Sequence, residues 1–147
     1  MEGINARGGS LYGNVDAPKK AYGFVGNSHL NISQDLHLNL WRFELTTTAR
    51  DVLDHMTVTH DEQGIVKVTQ VALATHFDCS QSKINRALTQ LSGFHFAWKA
   101  RRGQYQLNPT YAYRFSSAKH HKLLKKLESV LKTHTIVVPT RKRRPVR

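Results

Sequence analysis

The stretch VTQVALATHFDCSQSKINRALTQL, residues 68–91, decides the fold. Thr69 stands where a helix N-cap is wanted, and Val71, Leu73, Ala74 and Phe77 supply the inner side of a short helix running to about Phe77. Asp78 and Cys79 follow as a tight turn, and Ser80 caps a longer helix that runs to about Ser92 and is closed by Gly93. Ala74 is small where two helices would cross, and Cys79 is a small hydrophobe that can plug the turn. At about 100° per residue, Ile84, Ala87, Leu88 and Leu91 share one side of the longer helix. Ser82, Arg86 and Thr89 lie opposite, Lys83, Asn85 and Gln90 flank them, and Gln81 sits in the exposed first turn.

Upstream, Leu45, Ala49, Val52, Leu53 and Met56 recur at helical spacing, with Thr48 and Asp51 placed as a capping box. That helix should end near His60, before a turn at 61–64 and a β-branched strand at 65–68. Downstream, Phe94, Phe96 and Trp98 alternate with His95, Ala97 and Lys99 as a strand does. Arg101, Arg102 and Gly103 form a turn, Tyr105 and Leu107 alternate with Gln104 and Gln106 on the return strand, and Asn108 with Pro109 stops it. The order is helix, short strand, helix, tight turn, helix, hairpin. It predicts a mainly α fold with a small β-hairpin, a winged helix-turn-helix.

That fold carries an expected chemistry. Its third helix enters the major groove of duplex DNA, and the hairpin lies against the backbone or minor groove. The outward side chains suit base edges: Arg86 can pair bidentately with guanine, and Asn85, Gln81 or Gln90 with adenine. Ser80, Ser82 and the free amides of the first turn suit a phosphate. Lys83 stands in that first turn, where the helix dipole disfavours a cation by roughly 0.3–1 kcal/mol and a bound phosphate would reverse the sign. At the hairpin, Lys99, Arg101 and Arg102 are the candidate groove or backbone contacts.

The flanks divide the chain further. Residues 1–20 read as a flexible arm, and residues 21–43 hold a short strand around 22–25 and a short helix or strand around 36–43. Residues 21–133 form the DNA-binding domain, ending in one amphipathic helix over 117–133 capped by Ser116 or Ser117. Leu123, Leu124, Leu127, Val130 and Leu131 give that helix a seam, which suits either a homodimer or packing against its own domain. Residues 134–147 read as a basic disordered tail in which Arg141, Lys142, Arg143 and Arg144 would hold phosphates.

The charge distribution agrees with a polyanionic partner met by the C-terminal third. Of a formal net charge of +12, residues 1–98 hold 8 Lys/Arg against 9 Asp/Glu, and residues 99–147 hold 14 against one, Glu128. The single cysteine excludes an intrachain disulfide and fits a reducing cytosol. The opening MEGINARGGS has no apolar core of a signal peptide, and no apolar run approaches the roughly 20 residues of a membrane span, so the expected location is cytoplasmic. No enzymatic activity, metal or other cofactor is expected. The nine histidines make no His-Glu-x-x-His pair, one cysteine cannot build a zinc ribbon, and no phosphate loop is present. A nicking tyrosine among Tyr105, Tyr111 and Tyr113 would lack its His-x-His metal pair.

KVTQVALATHFDCSQSKINRALTQL, a hairpin, and then LNPTYAYRFSSAKHHKLL together resemble the RepL-type plasmid replication proteins. The resemblance covers about residues 45–127, with Leu107, Asn108, Pro109, Tyr111, Tyr113, Arg114, Phe115 and Ser116 in the places of that family's Asn-Pro and aromatic block. The family's usual glycine after that block is replaced by Phe115 or Ser116. The resemblance implies a replication initiator that binds a plasmid origin and represses its own promoter. The first half also resembles MarR-like and other winged-helix regulators, which implies a repressor or activator instead. A third reading is a nucleoid-like or RNA-binding module driven by the basic tail.

Overall fold

Thr46 opens the first long helix. Its hydroxyl accepts a hydrogen bond from Ala49 N at 3.1 Å, so the cap lies two residues before the expected Thr48 and no capping box forms with Asp51. A computed structural model describes residues 30–140. The expected arm at 1–20, the strand at 22–25 and the tail residues Arg141, Lys142, Arg143 and Arg144 lie outside the described residues.

In chain order the elements are β1 (Asn31–Ile32), α1 (Gln34–Leu38), a 3-10 turn (Leu40–Phe43), α2 (Thr47–Thr59), β2 (Ile65–Lys67), α3 (Gln70–His76) and α4 (Gln81–Gly93). The chain continues with β3 (Ala97–Arg101), β4 (Gln104–Leu107), β5 (Ala112–Tyr113), α5 (Ser117–Lys126) and α6 (Glu128–Thr133). The fold is therefore mixed α/β: among the described residues, six helices and two small antiparallel sheets. β2, β4 and β3 lie side by side in that order, and β1 pairs with β5. The helix, strand, helix, turn, helix, hairpin order from α2 to β4 follows the predicted order.

The core forms where α4 packs across α2 and α3 and the sheet covers them. Ala49, Val52, Leu53 and Met56 of α2 meet Leu73 and Ala74 of α3 and Ile84, Ala87, Leu88 and Leu91 of α4, all buried. Each large aliphatic side chain buried here contributes roughly 1.5–3 kcal/mol. Val71, expected inside, is 59% exposed, because Leu73 and Ala74 alone turn to α4 in so short a helix. Phe43 closes one end, edge-on to Phe94 and Phe96 at centroid distances of 5.1 and 4.8 Å.

The end of α4 differs from the expected glycine stop and shares its form with the tight turn after α3. At the end of α4, Phe96 N donates to Leu91 O and His95 N to Ser92 O, with His95 left-handed at φ 68. At the end of α3, Cys79 N donates to Ala74 O and Asp78 N to Thr75 O, with Asp78 at φ 53. Both are left-handed C-caps with the same bond pattern, and neither uses glycine. Gly93 is simply the last helical residue. The cap also delays the strand. Phe94, His95 and Phe96 spend themselves on leaving the helix, so β3 starts at Ala97 and the expected alternation from Phe94 does not form.

Asn108 is fully buried and uses its whole amide. Nδ2 donates to His95 O and His134 O at 2.9 and 3.0 Å, while Oδ1 accepts from Thr110 N and Thr110 Oγ1. It thereby joins the end of α4, the end of the hairpin and the segment after α6. Residues 134–138, expected to open a disordered tail, pack back instead. His134 stacks on Trp98 at 3.9 Å, and Ile136 and Val138 pack against the core. The helix expected over 117–133 is also interrupted, at Leu127, where ψ of 12° leaves the α-helical range. Leu123 is buried next to Gly64 in its own chain, and Val130 is 39% exposed, so the predicted seam is not continuous. No described helix is long and apolar enough to cross a membrane.

Candidate nucleic-acid interface

Ser80 starts α4 with extended backbone, and its Oγ accepts from Lys83 N at 3.1 Å. This fixes the helix phase. With Ile84, Ala87, Leu88 and Leu91 buried, Gln81, Ser82, Lys83, Asn85, Arg86 and Thr89 must be exposed, and they are. Ser80 is exposed too, but one of its lone pairs is spent on the cap. Thr89 Oγ1 donates to Asn85 O at 2.9 Å, which leaves that hydroxyl as an acceptor only.

Gln90 departs from its expected role. Its Oε1 accepts from Thr46 N at 2.9 Å and its Nε2 donates to Glu44 O at 3.3 Å. The amide thus ties α4 to the entry of α2, which fixes its orientation and leaves one N–H and one lone pair unused by these bonds. The helical wheel placed Gln90 on the flank correctly, but it could not show that a loop from residue 44 reaches that flank.

The hairpin presents the second group. Arg101 pairs with Gln104 across the strands, and Arg102 with Gly103 forms the turn, Gly103 at φ 71. Arg101 and Arg102 are both exposed. Val68 N donates to Gly103 O at 3.0 Å, so the tip is braced by the link from β2 into α3. Lys99 stands opposite Tyr105, on the side of the sheet that faces α4. None of Lys83, Arg86, Lys99, Arg101 and Arg102 is paired with a carboxylate among the described residues.

Between α4 and the hairpin lies an open cleft of about 420 Å³. Asn85, Thr89 and Ser92 line one wall, Trp98, Lys99 and Tyr105 the other, and Gln70 one end. Sequence reasoning did not mark Gln70, Ser92 or Trp98 as contacts. Ser92 was accessible to it, being seven residues after Asn85 on the same helical face. Gln70 and Trp98 depend on how α3 and the hairpin are set, which periodicity does not encode. Chemically the cleft offers amides, hydroxyls and one ammonium beside an aromatic wall, a set suited to a sugar-phosphate strand.

Arg141, Lys142, Arg143 and Arg144 lie outside the described residues. Among the described residues no group of three or more His, Cys, Asp or Glu side chains is placed to hold a metal ion. Searched against protein-family models and against curated proteins, the chain matches none.

Proposed function

We propose that α2, β2, α3, α4 and the β3–β4 hairpin form a winged helix-turn-helix that binds duplex DNA sequence-selectively. In this reading α4 lies in the major groove with Gln81, Ser82, Lys83, Asn85 and Arg86 toward the bases and backbone. Arg101 and Arg102 meet the adjacent minor groove, and the sugar-phosphate strand between the two grooves runs through the cleft. The chain acts as a non-enzymatic initiator that binds a plasmid origin.

The observation that carries the reading is one open cleft between α4 and the hairpin, lined by Asn85, Thr89, Ser92 and Lys99, with exposed Lys83 and Arg86 elsewhere on α4 and exposed Arg101 and Arg102 at the hairpin tip, none of them paired with a described carboxylate. The narrower role at an origin is supported by the resemblance through the Asn-Pro block. Asn108 there supports the hairpin from below and touches no candidate contact.

The test is selection of bound sequences from a random duplex pool. The wild-type chain should enrich one site, palindromic if two chains bind as a homodimer. Arg86→Ala should cost about 1–3 kcal/mol at that site and blur one base position. Pools that stay random, or identical preferences for the two proteins, would reject the groove assignment. Protection over an origin beside A·T-rich DNA then distinguishes an initiator from a regulator that protects a promoter alone.

A further inference from the structure

The densest run of positive charge among the described residues lies neither on α4 nor at the hairpin tip. It lies on α5, where Lys119, Lys122, Lys125 and Lys126 are all exposed and no acidic residue occurs. Lysines three and four residues apart repel one another along a helix, and α5 itself carries nothing to offset that. Only Leu123 of α5 is buried, so packing does not demand the lysines either. Lys119 is neutralised by Glu62. Lys126 Nζ donates to Gln63 Oε1 at 2.8 Å, a neutral partner, and Lys122 and Lys125 meet no described carboxylate. Lys119, Lys122, Lys126, Glu62, Gln63 and Leu123 enclose a concavity of about 270 Å³, in which three ammonium groups face one carboxylate.

The position of this patch separates it from the first interface. Glu62 and Gln63 belong to the turn that leads into β2. Ile65, just after the turn, pairs with Gln106, whereas Lys67 pairs with Gln104 beside the hairpin tip. The patch and the tip are thus at opposite ends of the three-stranded sheet.

We propose that the α5 lysine face is a second, sequence-independent site for the phosphodiester backbone of duplex DNA, so that one chain holds two duplex segments at once. The identity of the first segment rests on the function proposed above. The binding capacity of α5 does not.

Two measurements on the full chain test this. In the first, an immobilised duplex bearing the selected site is loaded with protein, and capture of a fluorescent duplex of scrambled sequence is measured. The wild-type chain should capture it. Lys122→Gln/Lys125→Gln/Lys126→Gln should occupy the immobilised site equally well and capture at least fivefold less. Equal capture by the two proteins overturns the proposal. So does loss of the first duplex, which would place these lysines in the reading head. Capture only of second duplexes that carry the site also overturns it, since a second copy's α4 would then be the bridge. In the second measurement Arg86→Ala/Arg101→Ala/Arg102→Ala is titrated with scrambled duplex at low salt, with and without the three lysine changes. Residual binding that weakens at least fivefold with those changes supports the α5 site even if no preferred sequence exists. Residual binding indifferent to them rejects it. Matching thermal melts establish that the lysine variant is folded.

Discussion

Arg86 and Gln90 stand four residues apart on α4, yet only Gln90 is tied by its side chain to another element. Arg86 is exposed with no described carboxylate partner, whereas both ends of the Gln90 amide are bonded to the entry of α2. Gln90→Ala should therefore behave as a stability variant. Loss of the two bonds should lower unfolding free energy by about 1–2 kcal/mol, seen as a reduced urea midpoint, and leave the selected DNA sequence unchanged. A changed sequence preference with an unchanged midpoint would return Gln90 to the reading surface. His60 gives a prediction of another kind. It is fully buried, with Nδ1 3.0 Å from Met56 O, and its Nε2 accepts from Arg114 N at 3.1 Å. One ring nitrogen must donate and the other accept, so the bonds require the neutral ring. Burial holds its pKa below the ordinary value, and the nearby Arg114 and His120 push the same way. The bond to Met56 O and the charge of Asp61 oppose them. A histidine whose folded pKa is depressed favours folding in its neutral form. Its contribution is complete above about pH 6.5, the unfolded value, and declines as the pH falls from there toward the folded value. His55, lowered by burial and by His76, adds in the same direction. The urea midpoint should be flat from pH 8 to 7 and fall below pH 6.5, with a shallower acid limb for His60→Gln. A midpoint that rises on acidification would contradict the assigned proton.

At the scale of elements, the helix ends contain what the sequence could not show. His95 occupies a left-handed position that costs a non-glycine residue about 1–2 kcal/mol, and its buried Nδ1 has no hydrogen-bond partner among the described residues. His95→Gly should raise unfolding free energy by up to about 1 kcal/mol, once the extra freedom of glycine in the unfolded chain is subtracted. Thermal melting at neutral pH reads it, and a fall of several degrees would mean that the contact of His95 with His134, at 5.3 Å, outweighs the backbone strain. The same ends explain which elements were legible. α4 was readable almost to the residue because a serine cap, a period of 3.6 and a buried stripe all agree on it. The exposure of the candidates Gln81, Ser82, Lys83, Asn85 and Arg86 followed from that phase. β3 was misjudged by three residues, since Phe94 and Phe96 happen to alternate while belonging to a helix exit and the core. The fold-back of residues 134–138 was invisible as well. It depends on the Asn108 amide and on Trp98, which are 26 and 36 positions away in sequence.

For the molecule as a whole, the uneven charge of the chain resolves into parts with different expected tasks. The described cations on α4 and the hairpin are few: Lys83 and Arg86 on the helix, and Lys99, Arg101 and Arg102 on the hairpin, all exposed. Residues 140–147 hold five more Lys/Arg with no apolar residue but Val146. A site that reads base edges needs fixed geometry, while displacement of counterions needs only charge, and each neutralised phosphate adds about 0.9 to the slope of log affinity against log salt. Two variants on specific and scrambled duplexes separate these contributions. Arg101→Ala/Arg102→Ala should make the slope shallower by at most about 2 and weaken preference for A·T-rich flanks, where a narrow minor groove attracts arginine. Deleting residues 140–147 should make the slope shallower by about 2–5, lower affinity for both duplexes alike and keep the preferred sequence. Gly103 at φ 71 and the bond its carbonyl accepts from Val68 N hold the backbone of the tip in place, so the arginine change should leave the hairpin itself intact. If the deletion abolished sequence preference while the arginine change left both slope and flank preference untouched, the tail would be the reading element. The braced hairpin would then be a scaffold beside it.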